Sequence, residues 1–85
     1  MTAAQSELLE RVRARRVLPI AAERRHIREA AGVSQHELAK ALGVSWTAIW
    51  RWEQGSRPRE HRHEIAYADL LSELARLGAK GGDPD

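Results

Sequence analysis

Residues 34–55 read SQHELAKALGVSWTAIWRWEQG. Ser34-Gln35-His36-Glu37 has the form of a capping box, a Ser N-cap followed three residues later by Glu. A short helix follows, with Leu38, Ala39 and Leu42 on its inner side, and Gly43 ends it. Val44 is apolar, and Ser45 can cap a second helix at once. That helix spans 46–54 and stops at Gly55. The stretch therefore predicts two short helices joined by about three residues, with a glycine at the break.

That is the pattern of a helix-turn-helix motif. With Gln35 as its first position, Ala39 is fifth, where a small side chain lets the second helix cross closely. Gly43 is ninth, where a sharp turn needs positive φ. Leu38, Leu42, Val44, Ile49 and Trp52 form the apolar wedge that fixes the angle between the helices. The surrounding text Arg24–Arg59, RRHIREAAGVSQHELAKALGVSWTAIWRWEQGSRPR, resembles the Cro/repressor-type (XRE-like) helix-turn-helix family of phage and bacterial transcription regulators. The specific parts are the Arg of IREAAG, the SQ.ELA..LGVS block and the closing WEQG. The resemblance covers about 36 of the 85 residues. It implies an all-α, lambda-repressor-like helical bundle whose second motif helix enters the major groove of double-stranded DNA. It also implies a structural salt bridge from Arg28 to Glu53, and phosphate contacts from Ser34 and Gln35.

Outside the motif the expectations rest on local signals. Ser6 caps a helix or basic arm that ends near Leu18, before Pro19. Leu8, Leu9 and Val12 share one of its faces, with Arg11, Arg13, Arg15 and Arg16 behind. Pro19 suits the first turn of a helix running to Ala31, with Ile20, Ile27 and Ala31 on one stripe. After the basic loop Ser56-Arg57-Pro58-Arg59, a long helix spans about 60–77. Its stripe is Ile65, Ala66, Leu70, Leu74 and Leu77, with Tyr67 and Leu71 beside it, and Gly78 stops it. The organisation expected is 1–18 as N-terminal helix or arm, 19–77 as the DNA-binding domain, and 78–85 as a disordered tail. Family members commonly have two short helices after the motif, and they lack the N-terminal addition.

Length and composition narrow the function. Eighty-five residues make one domain with a small core. The absence of cysteine excludes disulfides, thiolate zinc sites and thiol chemistry. No apolar run is long enough for a transmembrane helix. No signal-peptide pattern is present, so the cytoplasm, at the nucleoid when DNA is bound, is the expected location. Net charge is +2, but residues 11–62 alone carry +7, while 1–10 carry −2 and 63–85 carry −3. Twelve of the fourteen basic residues are Arg, which pairs bidentately with phosphate and guanine. A solvated Arg-rich surface is the bland alternative. His61 and His63 are two apart, so on a helix they point about 200° away from each other and make no metal site. No catalytic set and no phosphate loop occurs. No enzyme activity, cofactor, metal or small-molecule ligand is expected.

On a helical wheel Ser45, Ala48, Ile49 and Trp52 point inward, and Trp46, Thr47, Trp50, Arg51 and Gln54 point outward. Arg51 is the leading base reader, against a phosphate contact. Thr47 fits a thymine methyl or a phosphate. Trp46 starts the helix, where side chains reach deepest, with packing inside the protein as its alternative. Trp50 divides between DNA and a protein surface. Ser45 and Gln54, at the helix ends, join Ser34, Gln35, Arg57 and Arg59 as phosphate contacts.

These features predict a sequence-specific DNA-binding transcriptional regulator, a repressor occupying an operator. Two other readings remain: an architectural recombination accessory factor that bends DNA, and an antitoxin-like module that binds a protein. Two states of association also remain. Either the N-terminal helix covers the long helix and the protein is a monomer, or the long-helix stripe meets its copy in a homodimer. Two-fold symmetry doubles a short binding site, which favours the dimer.

Overall fold

Most of the helix starts are closed by a side chain reaching back to the first turn. A computed structural model describes the backbone of residues 1–81, and the side chains of 1–13 and 17–78. Within these residues there are five α-helices and no strand: α1 (Ala3–Val17), α2 (Ala21–Ala30), α3 (Gln35–Leu42), α4 (Trp46–Glu53) and α5 (His61–Gly81).

Helix α1 starts earlier than Ser6. Thr2 and Gln5 form a reciprocal box, with Gln5 N donating to Thr2 Oγ1 at 3.2 Å and Thr2 N to Gln5 Oε1 at 2.8 Å. That box satisfies the first turn before Ser6 is reached, and Ser6 N bonds to Thr2 O within the helix. Helix α2 also departs from expectation. Pro19 lies outside it, ahead of the N-cap Ile20, and Ile20 is 75% exposed rather than inward. The inner face carries Arg24 and Arg28, both buried, with Ile27 packed against the core beside them.

The motif helices form as the local signals require. Ser34 and Glu37 make both bonds of the capping box, at 2.9 and 3.0 Å. The carboxyl of Glu37 is held below its usual range by the backbone N–H and the hydroxyl of Ser34. Gly43 closes α3 at φ +69°, a left-handed position that a side chain would strain. Val44 N then bonds to Ala39 O at 3.0 Å, and Ser45 Oγ accepts from Ala48 N at 3.2 Å. Ser45 is therefore exposed at the cap and does not join the inward row.

Leu18, Leu38, Ala39, Ile49, Trp52, Tyr67, Ala68 and Leu71 form the core. On α5 the innermost line is Glu64, Tyr67, Ala68 and Leu71. The expected stripe is its flank: Ile65, Leu70 and Leu74 are half-buried, Ala66 is exposed and Leu77 is 51% exposed. Gly78 does not stop the helix, which runs on to Gly81. At Gly78, α5 passes the end of α2, where the Ala30 backbone would lie 3.8 Å from an added Cβ. The rest of the expected tail, 82–85, lies outside the described residues.

Tyr67 stacks at a tilt on Trp52, with ring centroids 4.9 Å apart, and its buried hydroxyl has no hydrogen-bond partner among the described residues. Burial pushes its phenol up to about 12, aided by Glu53 and opposed by Arg24 and Arg28. An unfolded tyrosine titrates near about 10. The folded state thus holds the proton more tightly. Its contribution is complete below about pH 10 and is lost as pH rises towards about 12, by up to about 2–3 kcal/mol. Tyr67 is the single tyrosine, so phenolate absorbance reports it alone. Tyr67→Phe should remove this alkaline loss and leave neutral-pH stability unchanged or raised by up to about 1 kcal/mol. A wild-type phenol titrating near 10 would place the hydroxyl in water instead.

Candidate nucleic-acid interface

The inner row of α4 determines what the outer row presents. Ile49, Trp52 and Glu53 are buried, which turns Trp46, Thr47, Trp50, Arg51 and Gln54 to the surface. Trp46 and Trp50 are 44% and 47% exposed. Exposed tryptophan pairs beside arginine are uncommon on a plain solvated helix, where large apolar area is disfavoured.

Two buried arginines from α2 hold this helix from behind. Arg28 meets Glu53 bidentately, Nε to Oε2 at 2.5 Å and Nη2 to Oε1 at 3.0 Å, and its Nη1 donates to Val33 O at 2.8 Å. The Glu53 hydrogen bond raises the Arg28 pKa above its ordinary value, outweighing burial. Arg24, 3% exposed, donates to Pro19 O at 2.6 Å and, through Nη1, to Trp52 O and Ser56 O, both at 2.8 Å. Burial lowers its pKa, yet guanidinium stays charged. Its cation satisfies carbonyls at the C-terminal end of α4, where the helix dipole is negative. The sequence reading missed Arg24. Its signal was the spacing Arg24, Ile27/Arg28, Ala31, which places both arginines on the inner face.

From Glu53 the network reaches the start of α3. Gln35 Nε2 donates to Glu53 Oε1 at 3.0 Å, and Gln35 Oε1 accepts from Trp46 Nε1 at 3.1 Å. The Trp46 ring stacks on His36, with centroids 5.5 Å apart and planes 7° apart. Thus the indole N–H of Trp46 and both ends of the Gln35 amide are engaged inside the protein. What Trp46 offers outward is ring surface. Ser34 Oγ and the Ser34 and Glu37 N–H groups are used in the cap.

On the other side of α4, Arg51, Arg57 and Arg59 border one cleft with Ala48, Ser56 and Glu60. Arg57 also pairs with the buried Glu64, Nε to Oε2 at 3.1 Å. Gly55, at φ +125°, turns the chain into this loop, and Ser56 N bonds back to Arg51 O at 3.1 Å. Arg15 and Arg16 fall outside the described side chains. Among the described residues, no cluster of His and carboxylate groups suits a metal, and no helix is long and apolar enough to cross a membrane.

Fold and surface together define a helical module of the DNA-binding, helix-turn-helix kind, with a buried ionic brace behind α4. A family model described as a helix-turn-helix domain matches residues 19–77, and the chain belongs to this helix-turn-helix family. Comparison with curated proteins and with solved structures gave no match.

Removing either member of the Arg28–Glu53 pair strands a buried charge. Arg28→Ala or Glu53→Ala should each cost about 3–5 kcal/mol in denaturant unfolding. The double variant should cost less than the sum, since neither charge is then left alone. Additive losses would show the two side chains to be energetically independent.

Proposed function

We propose that the chain is a sequence-specific double-stranded DNA-binding transcriptional regulator that represses by occupying an operator, with α4 in the major groove. One observation carries this reading. The exposed row of α4 is flanked on one side by the Arg51–Arg57–Arg59 cleft and on the other by the start of α3 with Trp46. A basic edge and a helix start on either side of a reading helix match the two phosphate strands that border a groove.

The geometry supports the following roles. Arg51 reads a guanine through its fork, and Thr47 and the ring of Trp46 meet apolar base edges such as thymine methyls. Trp50 lies against the sugar–phosphate wall. Arg59, with Arg57 behind it, binds phosphate on one strand. Ser45 and Gln54 border the strands at the ends of α4. The α3 start binds the other strand through the N–H groups of Gln35 and His36, because the Ser34 and Gln35 side chains are occupied. No step requires a cofactor, a metal or a catalytic group.

Selection of bound duplexes from a random library tests the reading. A defined, salt-sensitive consensus is the expected result, and no duplex binding at low salt would discard it in favour of a protein-binding module. Strong bending of any bound sequence would favour an architectural factor. On the selected site, Arg51→Ala should lose about 1–3 kcal/mol and relax preference at one base pair. Arg59→Ala should weaken all duplexes alike and flatten the dependence of log K on log salt by about one unit. A uniform loss in Arg51→Ala would make Arg51 a phosphate contact.

A further inference from the structure

The first residue of α4 is held from two sides. Trp46 Nε1 donates to Gln35 Oε1 at 3.1 Å, and the same Gln35 amide donates to the buried Glu53 at 3.0 Å. The His36 ring lies against the indole, with centroids 5.5 Å apart and planes 7° apart. Gln35 and His36 both stand in the first turn of α3, which the Ser34–Glu37 box closes. A hydrogen bond at one edge and a ring stacked on one face fix the plane of the indole. Trp46 is nonetheless 44% exposed.

What a fixed indole can distinguish is set by what it has left to offer. Its single polar group, a donor, is used inside the protein. A free indole N–H would favour the acceptors on a base edge, such as O4 of thymine or N7 and O6 of guanine. With that donor engaged, Trp46 presents apolar surface alone. In the major groove the apolar feature of a base edge is the C5-methyl of thymine, which cytosine lacks. 5-Methylcytosine carries the same methyl at the same ring position, although its exocyclic group donates where that of thymine accepts. With α4 in the major groove, the reading on which this rests, we propose that Trp46, clamped by Gln35 and His36, reads a pyrimidine C5-methyl group and takes thymine and 5-methylcytosine through the same contact. Binding is then sensitive to cytosine methylation at one base pair, because a clamped ring does not follow a methyl to the neighbouring step. The clamp also leaves the side chain little rotamer freedom to lose on binding.

The probe is the duplex selected from the random library. Uracil in place of each thymine in turn removes one methyl and leaves the hydrogen-bonding groups as they were. At one position affinity should fall about fourfold, the equivalent of one buried methyl group. Cytosine at that position should bind more weakly than 5-methylcytosine by about the same factor. Trp46→Ala should bring the thymine-to-uracil ratio there to about one, whereas Thr47→Ser should leave it as it was. Each ratio compares two duplexes on one protein, so a general loss of affinity cancels. His36 is exposed and outside the core, so His36→Ala keeps the fold and should lower the ratio by releasing the stack. A selected site with no methyl-sensitive thymine, 5-methylcytosine bound no better than cytosine, or a ratio unchanged in Trp46→Ala or in His36→Ala would each overturn the proposal and leave the DNA reading standing. No duplex binding at all would discard both.

Discussion

The Arg28–Glu53 ion pair sets the position of α4. Glu53 ends α4, where a negative charge opposes the helix dipole, and it is buried. It is tolerable there because Arg28 grips both its oxygens and Gln35 donates to one of them. A buried pair of this kind adds little net stability compared with an apolar substitute. Its effect is positional, since a bidentate fork accepts a carboxylate in one plane and at one distance. Three helices converge on that carboxylate: α2 through Arg28, α3 through Gln35, and α4 through Glu53 itself. From Gln35 the constraint passes to Trp46, so one network fixes both ends of α4 against α3.

Arg24 complements this from the same face of α2. It collects carbonyls from Pro19 ahead of α2, the end of α4 and the following loop. The arginine-bearing cleft beside α4 therefore opens from a loop whose backbone is tied to the core. Arg57 extends the pattern, because its pairing with Glu64 anchors the loop to α5. Tyr67 lies among these charges with a hydroxyl that has no partner among the described residues, and its burial raises its pKa.

What was legible in the sequence was what is decided locally. The Ser34–Glu37 box, the left-handed Gly43 and the Ser45 cap each depend on residues within one turn, and the structure forms all three. Misread features depended on tertiary partners. The inner stripes legible in the sequence hold apolar residues alone and do not include Arg24 or Glu64; the burial of these two follows only from carbonyls and an arginine distant in sequence. The phase of α5 was read from its aliphatic residues, but Tyr67 and Glu64 take the innermost line and rotate the stripe to a flank. Gly78 was read as a stop, although a helix packed along α2 passes through it. At the site, the wheel assigned the outward row of α4 correctly. It gave no indication that His36 would stack on Trp46 or that Gln35 would occupy the indole N–H.

The fold separates the residues that hold α4 from those it exposes on a single eight-residue helix. Ile49, Trp52 and Glu53 carry the contacts that fix α4, whereas Thr47, Trp50 and Arg51 lie on its exposed side. Substitution in the exposed row leaves the brace intact, so its chemistry can vary without loss of the fold. Trp46 is the exception. It lies in the exposed row yet is tied to Gln35 and stacked on His36, so changing it disturbs the start of α3 as well as the surface. A helix of two turns has few positions, and at its first residue the two roles overlap.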